Sequence, residues 1–352
     1  MNFLELQQSG FDKTEAGLKK FNTLLAKEYK KSLDSIRGDL QVLYNKITGD
    51  LSPAEIALAM KSNPAWYYTQ ALKFDRLQAL QKKVQTEFIK ASIAAGNMTV
   101  ESSKMAITNN FYSQQFALDF AYPKALSFTV LNPKVVEVSV LGTPEAWNKI
   151  SKKIYGKPAA YIPKYGTLSS ILTKNRKADL IKIQSAITQG LIQGHSYTKT
   201  AGAVKDVLGS TTSQAITILR TEGARNMNSG AYASHNIGVS KGVPVRRMAV
   251  ETLDTRTRQQ SQSIDGDYAD ENDQFHYPGG LLVDIIGNSG VAKYDINERG
   301  RSVEIIEGEE PTERRGRDPV TGKNSVMSYK NYDTWAEENG LTKNATGRWV
   351  LK

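Results

Sequence analysis

The chain of 352 residues contains no cysteine. That absence removes disulfide frameworks, thiolate zinc sites and cysteine nucleophiles, and it accords with synthesis in a reducing cytoplasm. Histidine is nearly as scarce, with His195, His235 and His276 alone, and no two stand at zinc-ligand spacing. No stretch approaches the roughly 20 apolar residues that span a bilayer. The amino terminus, MNFLELQQSGFDKTEAGLKK, lacks the basic start and apolar run of a secretory signal. The sequence therefore predicts no membrane span and no metal, and no motif in it implies a cofactor.

Positive charge and helical periodicity are abundant. Lys and Arg number 46 against 36 Asp and Glu, a formal net charge of +10, which favours anionic partners, nucleic acid first. Hydrophobic residues make up 39%, enough for a buried core.

Leu18, Phe21, Leu25, Tyr29, Leu33, Ile36, Leu40 and Leu43 recur at steps of three and four, one apolar stripe along a long helix that Gly38 interrupts. Ser52-Pro53-Ala54-Glu55 has the form of a capping box. A second stripe runs Leu77, Leu80, Val84, Phe88. A further helix is expected from Thr99 to about Phe120, after Gly96-Asn97, and Pro123 stops it.

Residues 145–182 are basic, with Lys149, Lys152, Lys153, Lys157, Lys164, Lys174, Arg176 and Lys177 as candidate DNA contacts. Prolines and glycines among them suggest an irregular connection, and a solvated linker is the plainer reading of such a charge run. Then come a helix over 178–193 closed by Gly194, a second starting at Ser196 and ending at Gly209, and a third over about 212–234. Short β signals follow at 243–250, 281–286 and 302–306, and a helix near 329–338 puts Tyr332 and Trp335 on one face. The fold class expected is mainly α, with long N-terminal helices and an α+β C-terminal domain. Its parts are an extended helical region 1–145, a basic linker 146–177, an α+β domain 178–310, and a tail 311–352 with a short helix.

Two polar clusters carry candidate chemistry. Arg220, Thr221 and Glu222 lie within the third helix, and neighbouring helical residues point apart, so each needs a partner elsewhere. Leu253 to Gly266 holds Asp254, Arg256, Thr257, Arg258, Asp265 and Gly266. Asp254 suits the N-cap of a two-turn helix, and Asp265-Gly266 suits a turn. The economical arrangement pairs Arg256 or Arg258 with Glu222, and Asp254 or Asp265 with Arg220. A nuclease reading lacks a third metal ligand. Glu307-Gly308-Glu309 matches the Glu-x-Glu pattern of ADP-ribosyltransferases, but the nearest Ser/Thr cluster, Gly209 to Ser213, falls at an expected helix start, where such residues cap. Gly279-Gly280 reads as a turn into Leu281.

A helix closing on Gly194, Ser196 and Tyr197, then Arg220-Thr221-Glu222, then Asp254-x-Arg256-Thr257-Arg258 and Asp265-Gly266, with the Phe275 to Gly280 stretch, appear in one order. Together they resemble the Mu F-like family of phage minor head proteins, over roughly 178–310. The resemblance implies a structural, non-enzymatic role in head morphogenesis and association with the portal protein. Scaffold or major capsid protein are further partners. It also implies entry into the head near the portal, non-specific contact with double-stranded DNA, and departure with the DNA on ejection. Location would be the virion, and the host cytoplasm during assembly. The alternatives are a phage-delivered enzyme, ADP-ribosyltransferase-like or nuclease, and a DNA-binding protein of the virion interior. Many members of the family carry a histidine where Ser261 stands, and Cys-Arg-Cys after Ile-Asn, where this chain has Ile296-Asn297-Glu298-Arg299-Gly300. A metal held by those positions in relatives would be lost here as a unit.

Overall fold

The computed structural model describes residues 2–123, 130–131, 133–141, 167–307 and 309–351. Lys149, Lys152, Lys153, Lys157 and Lys164 lie outside them. The order is α1 (Phe3–Thr48), α2 (Pro53–Ser62), α3 (Trp66–Leu72), α4 (Arg76–Ala121), α5 (Pro133–Leu141), α6 (Leu168–Ile192) and α7 (Tyr197–Ser240). The short elements follow: β1 (Arg246–Val250), α8 (Gln259–Gln262), β2 (Phe275–Tyr277), β3 (Leu281–Val283), α9 (Ala292–Asp295), β4 (Arg301–Ile305), β5 (Glu313–Arg317), β6 (Asn324–Ser328), α10 (Tyr332–Glu338), β7 (Thr342–Lys343) and β8 (Trp349–Val350). The expected class, long helices followed by short antiparallel strands, is the one observed.

Three helices are longer than the glycine signals indicated. Gly38, Gly96 and Gly209 all lie inside continuous helices. One interior glycine costs about 1 kcal/mol against alanine, which a long packed helix absorbs. At 209 the local hydroxyls also serve the helix: Thr212 Oγ1 donates to Leu208 O at 2.7 Å and Ser213 Oγ to Gly209 O at 3.0 Å. The 209–213 cluster is thus helix interior, neither a cap nor a strand. Helix α6 likewise begins at Leu168, so the last part of the expected 146–177 linker is helical.

Two compact units form, and neither is continuous in sequence: Lys20–Thr99 with Leu168–Thr217, and Met1–Lys19 with Val100–Thr167 and Ile218–Lys352. In the first, the α1 stripe Leu25, Tyr29, Ile36, Leu40 and Leu43 is buried, as are Leu77, Leu80, Val84 and Phe88 of α4 and Ile183, Ile187 and Leu191 of α6. The capping box is complete: Ser52 N donates to Glu55 Oε2 at 2.7 Å and Glu55 N to Ser52 Oγ at 3.3 Å. Helix α6 ends on Gly194 at φ +68°, where His195 N donates to Gly190 O at 2.8 Å, the left-handed C-terminal turn that glycine adopts without a Cβ penalty.

In the second unit, β1 and β4 pair antiparallel with Arg247 opposite Glu304. Strands β2 and β3 close a hairpin through Pro278, Gly279 and Gly280, both glycines at positive φ. Phe275, Tyr277, Val283, Ile264 and Ile286 share one core, and Phe3, Leu6, Leu118, Val243 and Ile306 another. The C-terminal segment differs from the expected tail with a single short helix. It forms the β5–β6 hairpin, α10 and the β7–β8 pair. Tyr332, Trp335, Leu341 and Trp349 enclose Leu253, so residues past 310 complete the core under the Asp254 segment.

Gly230 of α7 lies against α4: a Cβ there would sit 2.3 Å from the backbone oxygen of Ile107. Gly230→Ala is expected to cost about 1–3 kcal/mol through overpacking. Exposed Gly209, with open space around it, is expected to gain about 0.5–1 kcal/mol as alanine. Urea denaturation of the two variants reads both signs.

Candidate functional site

Asp254 follows β1 and is almost wholly buried. A carboxylate there has to find cations or N–H donors, and it takes five. Arg299 gives two bonds, Nη1 to Oδ2 at 2.6 Å and Nη2 to Oδ1 at 2.8 Å. Arg256 gives its backbone N–H at 2.9 Å and two guanidinium bonds at 3.2 and 2.9 Å. Burial alone raises the acid's pKa, but the Arg299 and Arg256 partners overcome that and hold it well below the usual carboxylate range. Thr257 Oγ1 also bonds Oδ1, at 3.2 Å, and Tyr332 Oη donates to the Asp254 carbonyl at 2.7 Å. Asp254 does not cap a two-turn helix. The backbone turns back on its carboxylate, and the single-turn α8 starts after Arg258, with no side-chain cap.

Arg258 points elsewhere. Its Nη2 donates to Glu298 Oε2 at 2.6 Å and to Tyr294 O at 2.7 Å. Glu298 Oε2 also accepts from Ser261 Oγ at 2.9 Å, and Oε1 accepts the backbone N–H groups of Arg299 and Gly300 at 2.6 and 2.8 Å. Ser261, Glu298 and Gly300, the positions of the family's histidine and two cysteines, thus come together in space. They do not fit a structural zinc: one is a serine, one a glycine, and the glutamate's oxygens already accept four donors. Among the described residues no three His, Asp or Glu side chains form a metal-holding group.

Asp265 makes a third lock. Arg314 Nη1 donates to Oδ2 at 2.7 Å and Nη2 to Oδ1 at 3.0 Å, both side chains buried. Glu251 N adds a bond to Oδ1 at 2.7 Å. Gly266 has φ +91°, as the expected turn requires. Glu251 is buried beside this lock with neither carboxyl oxygen hydrogen-bonded. Burial pushes its pKa well up, and Glu298 and Asp265 push it further. A Cβ on Gly300 would lie 2.1 Å from Glu251 Oε1, so only glycine leaves room for that carboxyl.

On α7, Glu222 pairs with Arg225 one turn away at 2.8 Å, both buried. Thr221 Oγ1 accepts the N–H of Asn297 at 3.0 Å. The expected cross-pairs are therefore not made: Glu222 takes neither Arg256 nor Arg258, and neither Asp254 nor Asp265 takes Arg220. Arg220 is exposed. A partner three residues along the same helix is already in place once the helix forms, and Glu222 takes it. Asn228, which the sequence reading missed, joins α7 to two loops. Its Nδ2 donates to Ile286 O at 3.1 Å and Gly300 O at 3.0 Å, and its Oδ1 accepts Ser302 N at 3.2 Å. Its signal was an asparagine two helical turns after Thr221, on the same face of α7. Lys174, Arg176 and Lys177 stand on α6, with the two lysines exposed. Glu307 and Glu309 are exposed beyond β4, and Gly308 lies outside the described residues.

The Phage Mu protein F like family model matches residues 181–295. That span contains Glu222, Asp254, Arg258 and Asp265, while Glu298, Arg299 and Arg314 lie beyond it. The chain is 27% identical to the minor head protein GP7 of Bacillus phage SPP1 over 276 residues, 77% of this chain and 81% of that protein. It is 25% identical over 242 residues to a protein of Enterococcus faecalis named NAD(+)–arginine ADP-ribosyltransferase EFV, spanning 66% of this chain but 43% of that protein. No solved structure matches significantly.

Removing one partner of a buried ion pair costs about 3–5 kcal/mol, and surface changes stay within about 0.5 kcal/mol. Arg314→Met is expected to show the former and Arg220→Ala the latter in denaturant melts. Asp254 has a lowered folded pKa, so its stabilisation is present above the unfolded value of about 3.9 and lost as pH falls below it. Asp254→Asn, less stable at neutral pH, is expected to flatten the acid decline below about pH 4, measured by unfolding at stepped pH.

Proposed function

We infer, on the premise that this chain belongs to the Mu F-like family of phage minor head proteins, that it acts in head assembly at the portal vertex and is packaged with the DNA. A phage head protein is a virion component, and its partners are other proteins of the capsid. The portal protein is the partner proposed first, with scaffold or major capsid protein as further ones. One observation carries the reading: the likeness to a minor head protein runs through 77% of this chain and 81% of that relative, well beyond the 181–295 stretch of the family model.

The site supports a structural role. In the Mu F-like region the carboxylates of Asp254, Asp265, Glu298 and Glu222 are each consumed by arginines. A carboxylate so paired holds loops together and makes a poor general base. Arg314, in the C-terminal segment, is buried against Asp265 and is not free to meet DNA. Contact with DNA therefore falls to exposed cations such as Lys174 and Lys177, backed by the net charge of +10. Such phosphate contacts weaken steeply with salt. Assembly would take place in the host cytoplasm, and the finished protein would lie inside the head near the portal, free to leave with the DNA.

The likeness to a named ADP-ribosyltransferase keeps one enzymatic reading in view, with Glu307 and Glu309 as the exposed pair. The match spans 43% of that protein, and its activity is proposed for this chain only as that alternative.

Co-expression with the cognate portal protein is expected to give a complex that survives nuclease and high salt. DNA binding alone, lost as salt rises, would shift the reading to a DNA-binding protein of the virion interior. Turnover of NAD that disappears in Glu307→Gln would shift it to the enzyme.

A further inference from the structure

His235 of α7 is buried, and it faces a carboxylate on each side. Its Nδ1 lies 3.4 Å from Glu304 Oε1 on β4, and its Nε2 lies 3.5 Å from Asp273 Oδ2 in the loop before β2. Arg247, directly across the β1–β4 ladder from Glu304, is the second cation. Its Nε bonds Asp273 Oδ1 at 2.7 Å, its Nη1 bonds the Asp284 carbonyl at 2.6 Å, and its guanidinium stacks 4.5 Å over Tyr232 and 5.1 Å over Phe275. Those bonds commit Arg247 to Asp273. Glu304 is left with neither oxygen hydrogen-bonded, although its side chain is 98% buried. The backbone on either side is fixed, since Glu304 N and O both bond the Gln7 amide at 2.8 and 3.0 Å.

The titratable and charged groups around Glu304 are therefore His235 and Tyr232 from α7, Arg247 from β1, Asp273 from the loop before β2, and Asp284 after β3. The remaining side chains do not cancel an ionised Glu304. Tyr232 has its pKa raised, chiefly by burial, and is neutral through the physiological range.

We propose that His235 and Glu304 hold one proton between them, and that this proton is a pH-sensitive lock joining helix α7 to the β1–β4 sheet. With the proton present, Arg247, Asp273, His235 and Glu304 sum to zero charge. Without it, the buried Glu304 carboxylate faces only the single N–H of a neutral imidazole and has no cation of its own, an arrangement that burial penalises strongly. Burial, offset by His235 and Arg247, raises the Glu304 pKa. A group with a raised folded pKa stabilises fully below its unfolded pKa and loses that contribution as pH rises through the folded one. The lock is therefore shut on the acid side of its transition and loosens on the alkaline side.

Melting of the full chain between pH 5 and 9.5, upward from the unfolded carboxyl value, tests this. Glu304→Gln keeps the shape and removes the titration. The wild-type Tm is expected to fall by about 5 °C more than that of Glu304→Gln over this range. Equal falls in the two proteins would overturn the proposal. Because that difference is taken against the same background, the other buried acid, Glu251, cancels from it. If Glu304→Gln does not fold, ¹⁵N-histidine spectra of the wild type decide. Only three histidines contribute signals, and His235→Asn, or the slow solvent exchange of a buried ring, identifies the signal. The His235 Nδ1 resonance is expected to change across the pH range where the wild-type Tm falls. A resonance unchanged from pH 5 to 10 would overturn the lock.

Discussion

Buried charge has to be cancelled where it stands, and that constraint organises the second unit. Among the described residues its strands are two to five residues long and pair only in twos, too little ladder to hold a sheet by hydrogen bonding alone. The loops between them are fixed instead by carboxylates that each collect arginines and backbone N–H groups. Asp254, Glu298 and Asp265 do this for three successive stretches of chain. Each would be costly if any donor were withdrawn, so each forces its loop into one conformation.

The three locks are arranged as a relay. Arg299 serves Asp254 through its side chain and Glu298 through its backbone N–H. Arg314 serves Asp265 and the carbonyl of Glu251. Glu251 in turn lies against Gly300, next to Glu298. Position 300 is a glycine, and the space that a side chain would take there is filled by the buried Glu251 carboxyl. Serine, glutamate and arginine side chains close this stretch of chain with an internal hydrogen-bond set.

The outer segments are part of this closure. Gln7, from the first helix, brackets the backbone of Glu304, and Trp335 and Trp349, from the last fifth of the chain, cover Leu253. The region matched by the family model, 181–295, thus lacks Arg299 and Arg314, which neutralise its Asp254 and Asp265, and Glu298, which pairs with its Arg258. A fragment cut to those bounds would leave Asp254, Arg258 and Asp265 without their main partners.

The sequence by itself determined the elements whose cause is local. The apolar stripe from Leu18 to Leu43, the Ser52–Glu55 capping box, the Gly194 terminus, the Gly279-Gly280 turn and the shared face of Tyr332 and Trp335 depend on residues within a few positions of one another. The polar motif was legible as a set of residues needing partners, because unpaired buried charge is excluded by its cost. Only the tertiary structure decided which partners. Arg299 and Arg314 come from 45 and 49 residues away, and no periodicity connects such positions. It also decided that Gly38, Gly96 and Gly209 stay helical, since packing along a 44- or 46-residue helix outweighs one glycine's penalty. Glutamate, arginine and glycine at 298–300 read from the sequence as a missing metal site. In three dimensions they are a closed one, because the carboxylate that fills it, Glu251, belongs to a strand end 47 positions earlier in the numbering.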